Sequence, residues 1–105
     1  MSAFVVGHLR TVDFGGPIVE YLERIDATLA PYGGRFLVHG SDAEVLEGAW
    51  VGDLVVVEFP DREHVLAWYR SPAYQEILAL RTEHSDSTVI IVEGVTQPHR
   101  ATDVI

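Results

Sequence analysis

The runs Leu54-Val55-Val56-Val57 and Val89-Ile90-Ile91-Val92 set apolar side chains at consecutive positions, so a strand formed by either is hydrophobic on both faces. Successive strand side chains point to opposite faces, and an antiparallel sheet with one wet face alternates apolar with polar. Neither run alternates. The stretch Ala3 to Arg10 behaves alike, with Phe4 and Val6 opposing Val5 and Leu9. A sheet built from these segments needs cover on both sides.

The rest of the chain supplies helices for one side. Asp13-Phe14-Gly15-Gly16-Pro17 ends the first strand, and Pro17 suits the first helical position. Ile18, Tyr21, Leu22, Ile25 and Leu29 then form one face of an amphipathic helix, which Pro31 and Gly33-Gly34 stop. Arg35 to His39 is predicted as a second strand, with a bulge at Gly40 and a continuation through Glu44-Val45-Leu46-Glu47 before a turn carrying Trp50. Leu54 to Phe59 is the third strand. A helix over 61 to about 82 is predicted to stop and restart: Asp61 reads as one N-cap and Ser71-Pro72 as a second start, with Trp68, Tyr69 and Tyr74 around the break. Ser87 to Val95 is the fourth strand. Residues 1–95 thus form a single domain, and 96–105 a polar tail with an apolar end.

The order β-α-β-β-α-β is the α+β, ferredoxin-like arrangement. Right-handed crossovers give a four-stranded antiparallel sheet in the order 4-1-3-2, with both helices on one face. The other face stays apolar, and a second copy of the chain is the simplest cover: two sheets face to face in a homodimer.

Charge and composition exclude several function classes. Seven basic residues, all Arg, oppose 16 acidic ones, for a formal charge of −9. Such a surface repels phosphate backbones and anionic membranes, so neither nucleic acid nor membrane is an expected partner. No apolar run approaches the roughly 20 residues that span a bilayer, and the N-terminus lacks a signal-peptide pattern, so a cytoplasmic location is expected. The absence of cysteine removes disulfides, thiolate metal sites and a Cys nucleophile.

The predicted topology brings His8, Arg10, His39, Arg81 and His84 to one end of the sheet. There His8 is the candidate general base, since imidazole transfers protons near neutrality. Arg81 is the candidate clamp for a carboxylate or enolate oxygen, and His39, Trp68 and Tyr74 are further candidate ligand contacts. The plainer alternatives are a hydrogen-bonded core histidine, an ion-paired arginine, and aromatics that pack the core and the dimer. Glu58 and Glu93, near the opposite end, read either as an acid–base pair or as an Arg-paired edge. The five histidines include no i,i+4 pair, and His8 and His39 fall on strands about 9–10 Å apart, too far to share one ion. No metal, haem or other cofactor is expected, and no phosphate-binding glycine loop or nucleophile elbow is present.

In order along the chain stand Tyr32-Gly33-Gly34-Arg35-Phe36-Leu37-Val38-His39-Gly40, Val45-Leu46-Glu47-Gly48, Val57-Glu58-Phe59-Pro60, Ala67-Trp68-Tyr69-Arg70-Ser71-Pro72-Ala73-Tyr74-Gln75, Leu80-Arg81 and Val92-Glu93-Gly94. Together they resemble the bacterial domain-of-unknown-function family thirteen-thirty, over nearly the whole chain up to Val95. The resemblance implies the dimeric α+β barrel architecture and assigns no general activity. Related branches of that superfamily include cofactor-independent monooxygenases, muconolactone isomerases and haem-degrading enzymes. His39 stands where Arg is more usual in the family pattern. Two readings follow. One is a homodimeric, cofactor-independent enzyme, oxygenase- or isomerase-like, that moves a proton on an enolisable or aromatic metabolite. The other is a non-catalytic small-ligand-binding or scaffold dimer.

Overall fold

The computed structural model describes all residues, 1–105. Strand β1 (Ala3–Val12) leads into helix α1 (Gly16–Leu29), and a 3-10 turn (Ala30–Tyr32) carries the chain to β2 (Arg35–Val38). Then come β3 (Asp53–Phe59), α2 (Arg62–Arg70), α3 (Pro72–Thr82), β4 (Ser85–Glu93) and a short 3-10 turn (Ala101–Val104). The sheet is antiparallel with order β2-β3-β1-β4, the ferredoxin-like topology expected.

Register decides what each face carries. Val5 pairs with Val57 on one side and Ile91 on the other, and this set points toward the helices. Ala3, Val57, Phe59, Tyr21, Ile25, Leu29, Val65, Trp68, Tyr74 and Ile77 pack there as the core. Phe4, Val6 and His8 alternate onto the other face, beside Leu54 and Val56 of β3 and Thr88, Ile90 and Val92 of β4. That outer face has no helix over it, and Ile90 is 48% exposed. Only 16 of 105 residues are buried, and the radius of gyration is 15.0 Å against about 13 Å for a compact domain of this length.

The interrupted helix is built as its caps require. The Asp61 carboxylate accepts from the His64 amide at 2.9 Å, which opens α2. Ser71 serves both helices at once: its Oγ donates to the Trp68 carbonyl at 2.7 Å and accepts from the Tyr74 amide at 3.2 Å. Pro72 then supplies the preset first helical residue of α3.

Two expectations about the second strand are corrected. The bulge lies between Phe36 and Val38, not at Gly40, and residues 44–47 are not a strand. Gly40, Gly48 and Gly52 hold positive φ, and Asp42, Glu44 and Glu47 stand in a segment with no paired neighbour. A strand is made by ladder hydrogen bonds to a neighbouring strand, and none stands beside this segment. The segment instead forms an arm that returns to the sheet at Gly52, where φ is 86° and a Cβ would collide with the Leu9 carbonyl oxygen and the Arg10 backbone. Only glycine meets both demands.

Candidate functional site

A cavity of about 400 Å³ lies between the sheet and the helices. Its floor comes from the inward residues of the sheet: Val5, Gly7 and Leu9 of β1, Val55 and Val57 of β3, Phe36 of β2 and Val89 of β4. Ile18, Tyr21, Leu22 and Ile25 of α1, Trp68 of α2, and Tyr74 and Arg81 of α3 close the other side. Of 19 lining residues 14 are hydrophobic, and the volume lies within the range of small-molecule sites. Gly7 matters to this volume: it is a floor position with no side chain, and a Cβ there would make only ordinary contacts with Leu9 and Val55.

The polar groups fall into two sets. Buried within are Tyr21, Tyr74 and Arg81; exposed at the mouth are His39 and Asp53. The Tyr21 and Tyr74 hydroxyls are 2.8 Å apart. Burial pushes the Tyr21 phenol well above its ordinary value, with the neighbouring Tyr74 oxygen adding to the effect, so it is a hydroxyl at neutral pH. Arg81 is 7% exposed, its guanidinium 5.9 Å from the Tyr21 ring centre, and its Nη1 donates to Ser87 Oγ at 2.7 Å. Burial works against its charge and the Tyr74 and Tyr21 oxygens outweigh that, so it stays a cation. Trp68 Nε1 donates to Thr28 Oγ1 at 3.0 Å, which fixes the indole against α1.

The structure thus brings together Arg81, His39, Trp68 and Tyr74, four of the five candidates read from the sequence. His8 is not among them. Residue 8 alternates with Gly7 and Leu9, so its imidazole stands on the outer face, stacked on Trp50 at 4.2 Å with Nε2 2.7 Å from the Val51 carbonyl. The expected convergence fails in the same way for Arg10, whose guanidinium binds Asp86 and Thr88 on that face. His84 lies within hydrogen-bond reach of the Leu80 carbonyl at the end of α3. Glu58 and Glu93 do not pair: Glu58 stands opposite Phe4 and Glu93 opposite Ala3, on different faces, and Arg35 binds Glu58 at 2.6 Å.

Sequence reasoning missed Tyr21, Gly7 and Asp53. Tyr21 sets a hydroxyl within the apolar stripe of α1, and Gly7 interrupts a run of bulky strand residues, a sign of close approach or open space.

The chain belongs to the family described as Domain of unknown function (DUF1330), whose model matches residues 2–95. No curated protein matches it. Among solved structures it is similar to the RPA0582 protein of Rhodopseudomonas palustris in its methylated form, at 16% identity and TM-score 0.72, covering 93% of this chain and 84% of that one. A dimeric ferredoxin-like protein of unknown function from Jannaschia matches at 12% identity and TM-score 0.67, over 90% of this chain and 100% of its own. SnoaB, a cofactor-independent oxygenase from Streptomyces nogalater, matches at 17% identity and TM-score 0.59, over 93% and 98%. At these identities the likeness is one of fold.

Proposed function

We propose that the chain forms a homodimer through the outer sheet face, and that each subunit uses its sheet–helix cavity as a small-molecule site. The ligand class is an aromatic or enolisable apolar metabolite, and the chemistry is cofactor-independent proton transfer, as the first step of an oxygenation or an isomerisation. The observation that carries the reading is the cavity: about 400 Å³, mostly apolar, with a few polar groups inside and at its mouth. A fold shared with a cofactor-independent oxygenase supports the reaction class by analogy only. In this reading His39, at the mouth and stacked on Phe36 at 4.5 Å, takes the part of the base. His8 has no path to a ligand held on the helix side of the sheet.

One observation favours binding without turnover as a second reading. The interior polar groups, Tyr21 and Arg81, are both held in their protonated forms, so they donate hydrogen bonds and abstract nothing.

The test is a thermal-shift screen of bicyclic and tricyclic aromatic ketones and phenols, since a ligand specific to the folded state raises its apparent stability. Hits are then assayed for oxygen uptake and for exchange of the acidic carbon-bound proton. Gly7→Leu, which fills the floor, should remove the shift. His39→Ala should keep the shift and lose turnover. No stabilising compound in the wild type, or an unchanged shift in Gly7→Leu, sinks the cavity as the site.

A further inference from the structure

Arg81 is a charge without a counter-charge. Of the seven arginines, Arg10, Arg24 and Arg35 are ion-paired with Asp86, with Glu20 and Glu76, and with Glu58. Arg62, Arg70 and Arg100 are exposed to solvent. Arg81 alone is buried, and no carboxylate lies within ion-pair distance of it. Asp53, the carboxylate that lines the same cavity, pairs with Leu9 from β3, whereas Ser87 pairs with Leu9 from β4. Two strand spacings, about 9–10 Å, therefore separate Asp53 from the strand that Arg81 binds. Burial of an unpaired cation is costly. Its place in the last turn of α3, where carbonyl ends favour a cation, lowers that cost without filling the guanidinium's donors.

The donors define what is missing. Nη1 donates to Ser87 Oγ, and the guanidinium also lies within reach of the Tyr74 and Tyr21 hydroxyls, so every protein partner it has is neutral. Arg81 lines the cavity together with these two tyrosines. A guanidinium presents five N–H donors in a planar fork that matches a carboxylate, more than these neutral contacts use. Beside it the hydrogen-bonded Tyr21 and Tyr74 hydroxyls hold one proton not needed for their own contact.

We propose that Arg81 is an anion anchor, and that the cavity's ligand is an apolar monocarboxylate whose carboxylate sits on the Arg81 guanidinium while its hydrocarbon body lies along Leu9, Val55 and Trp68. The inference rests on the cavity being a small-molecule site. It explains how a protein of charge −9 presents a positive interior to a small acid.

The test compares 2-naphthoate with 2-naphthamide, which share shape and differ in charge, by calorimetric titration of the wild-type protein and of Arg81→Met. The wild type should bind the carboxylate about tenfold or more tighter than the amide, the margin of one charge-assisted contact. Arg81→Met should abolish that preference while still binding the amide, with thermal stability equal to or above that of the wild type. Equal binding of both probes by the wild type overturns the anchor and leaves the cavity standing, as does a preference that survives in Arg81→Met. Binding of neither probe by the wild type removes the cavity reading and the anchor with it.

Discussion

The hydroxyls of Tyr21 and Tyr74 meet 2.8 Å apart and join α1 to α3 across 53 residues of sequence, inside the cavity wall. Both side chains are buried, and each hydroxyl lies within hydrogen-bond reach of the other. Tyr74→Phe removes that partner and leaves the Tyr21 hydroxyl only the Arg81 guanidinium beside it, so a loss of about 1 kcal/mol is expected. Tyr21→Phe should cost a similar amount. The double variant should lose less than the sum, because neither hydroxyl is then left without the other. Urea unfolding of the four proteins measures this, and strictly additive losses would show that the pair contributes nothing as a pair.

Thr28 is the second polar tie in the core. Its Oγ1 accepts from Trp68 Nε1 at 3.0 Å and donates to the Ile25 carbonyl at 2.6 Å. Thr28→Val keeps the shape and strands the indole N–H, with an expected cost of about 1–3 kcal/mol. A red-shifted and more mobile Trp68 emission, read in a Trp50→Phe background, should accompany the loss. An unchanged midpoint and spectrum would mean that packing alone holds the indole.

Most of the fold was legible because local signals agreed. Two-faced apolar runs set the strands, the stripe of Ile18, Tyr21, Ile25 and Leu29 set α1, and Ser71-Pro72 marked the restart. The arm over 39–52 was misread as partly strand because Val45-Leu46 looks extended, yet strand identity depends on a neighbour that only the tertiary structure supplies. The site was legible where helix periodicity set the facing, as for Trp68, Tyr74 and Arg81. His8 was misplaced because convergence at one end of a sheet was read without parity. A shift of one residue moves a side chain through the sheet, so Gly7 lines the cavity and His8 stands on its far side.

Ser71 closes one helix and opens the next with one hydroxyl, so its removal acts on both. Ser71→Ala should cost about 1–2 kcal/mol, at the upper part of the range for cap loss, because the Tyr74 amide and the Trp68 carbonyl lose a partner together. Ser71→Thr retains the oxygen and should recover most of that. Equal midpoints for Ala and Thr in denaturant titration would contradict the double cap.

Acid sensitivity follows from three carboxylates held below their ordinary values. Hydrogen bonds from Arg35 lower Glu58, those from His64 lower Asp61, and those from Arg10 lower Asp86. A depressed folded value means that the unfolded chain takes up protons first, so the stabilisation is complete above the ordinary values of 4.5 for Glu58 and 3.8 for the two aspartates. It is lost as pH falls through the lowered values. The melting temperature should therefore drop as the solution is acidified below that range, and Glu58→Gln should make the drop shallower at low salt. A steeper or identical profile for Glu58→Gln would remove the Arg35 pair as a contributor.

The outer sheet face supplies the last prediction. Phe4, Val6, Leu54, Val56, Ile90 and Val92 form a contiguous apolar surface on the side without helices. His8 and Trp50 cover only its end: the stack at 4.2 Å and the 2.7 Å contact with Val51 pin the arm beside that surface and leave Ile90 and Val92 open. A patch of this kind is usually an interface, and a two-fold axis over Ile90 would set this residue near its own copy. Ile90→Glu then places two carboxylates in an apolar contact, where like charge and desolvation act together. The wild type should run as a dimer by light scattering at micromolar concentration, and Ile90→Glu as a folded monomer with its circular dichroism retained. Glu23→Gln, on the exposed side of α1, should leave the dimer intact. A monomeric wild type, or a dimeric Ile90→Glu, would require another cover for this face.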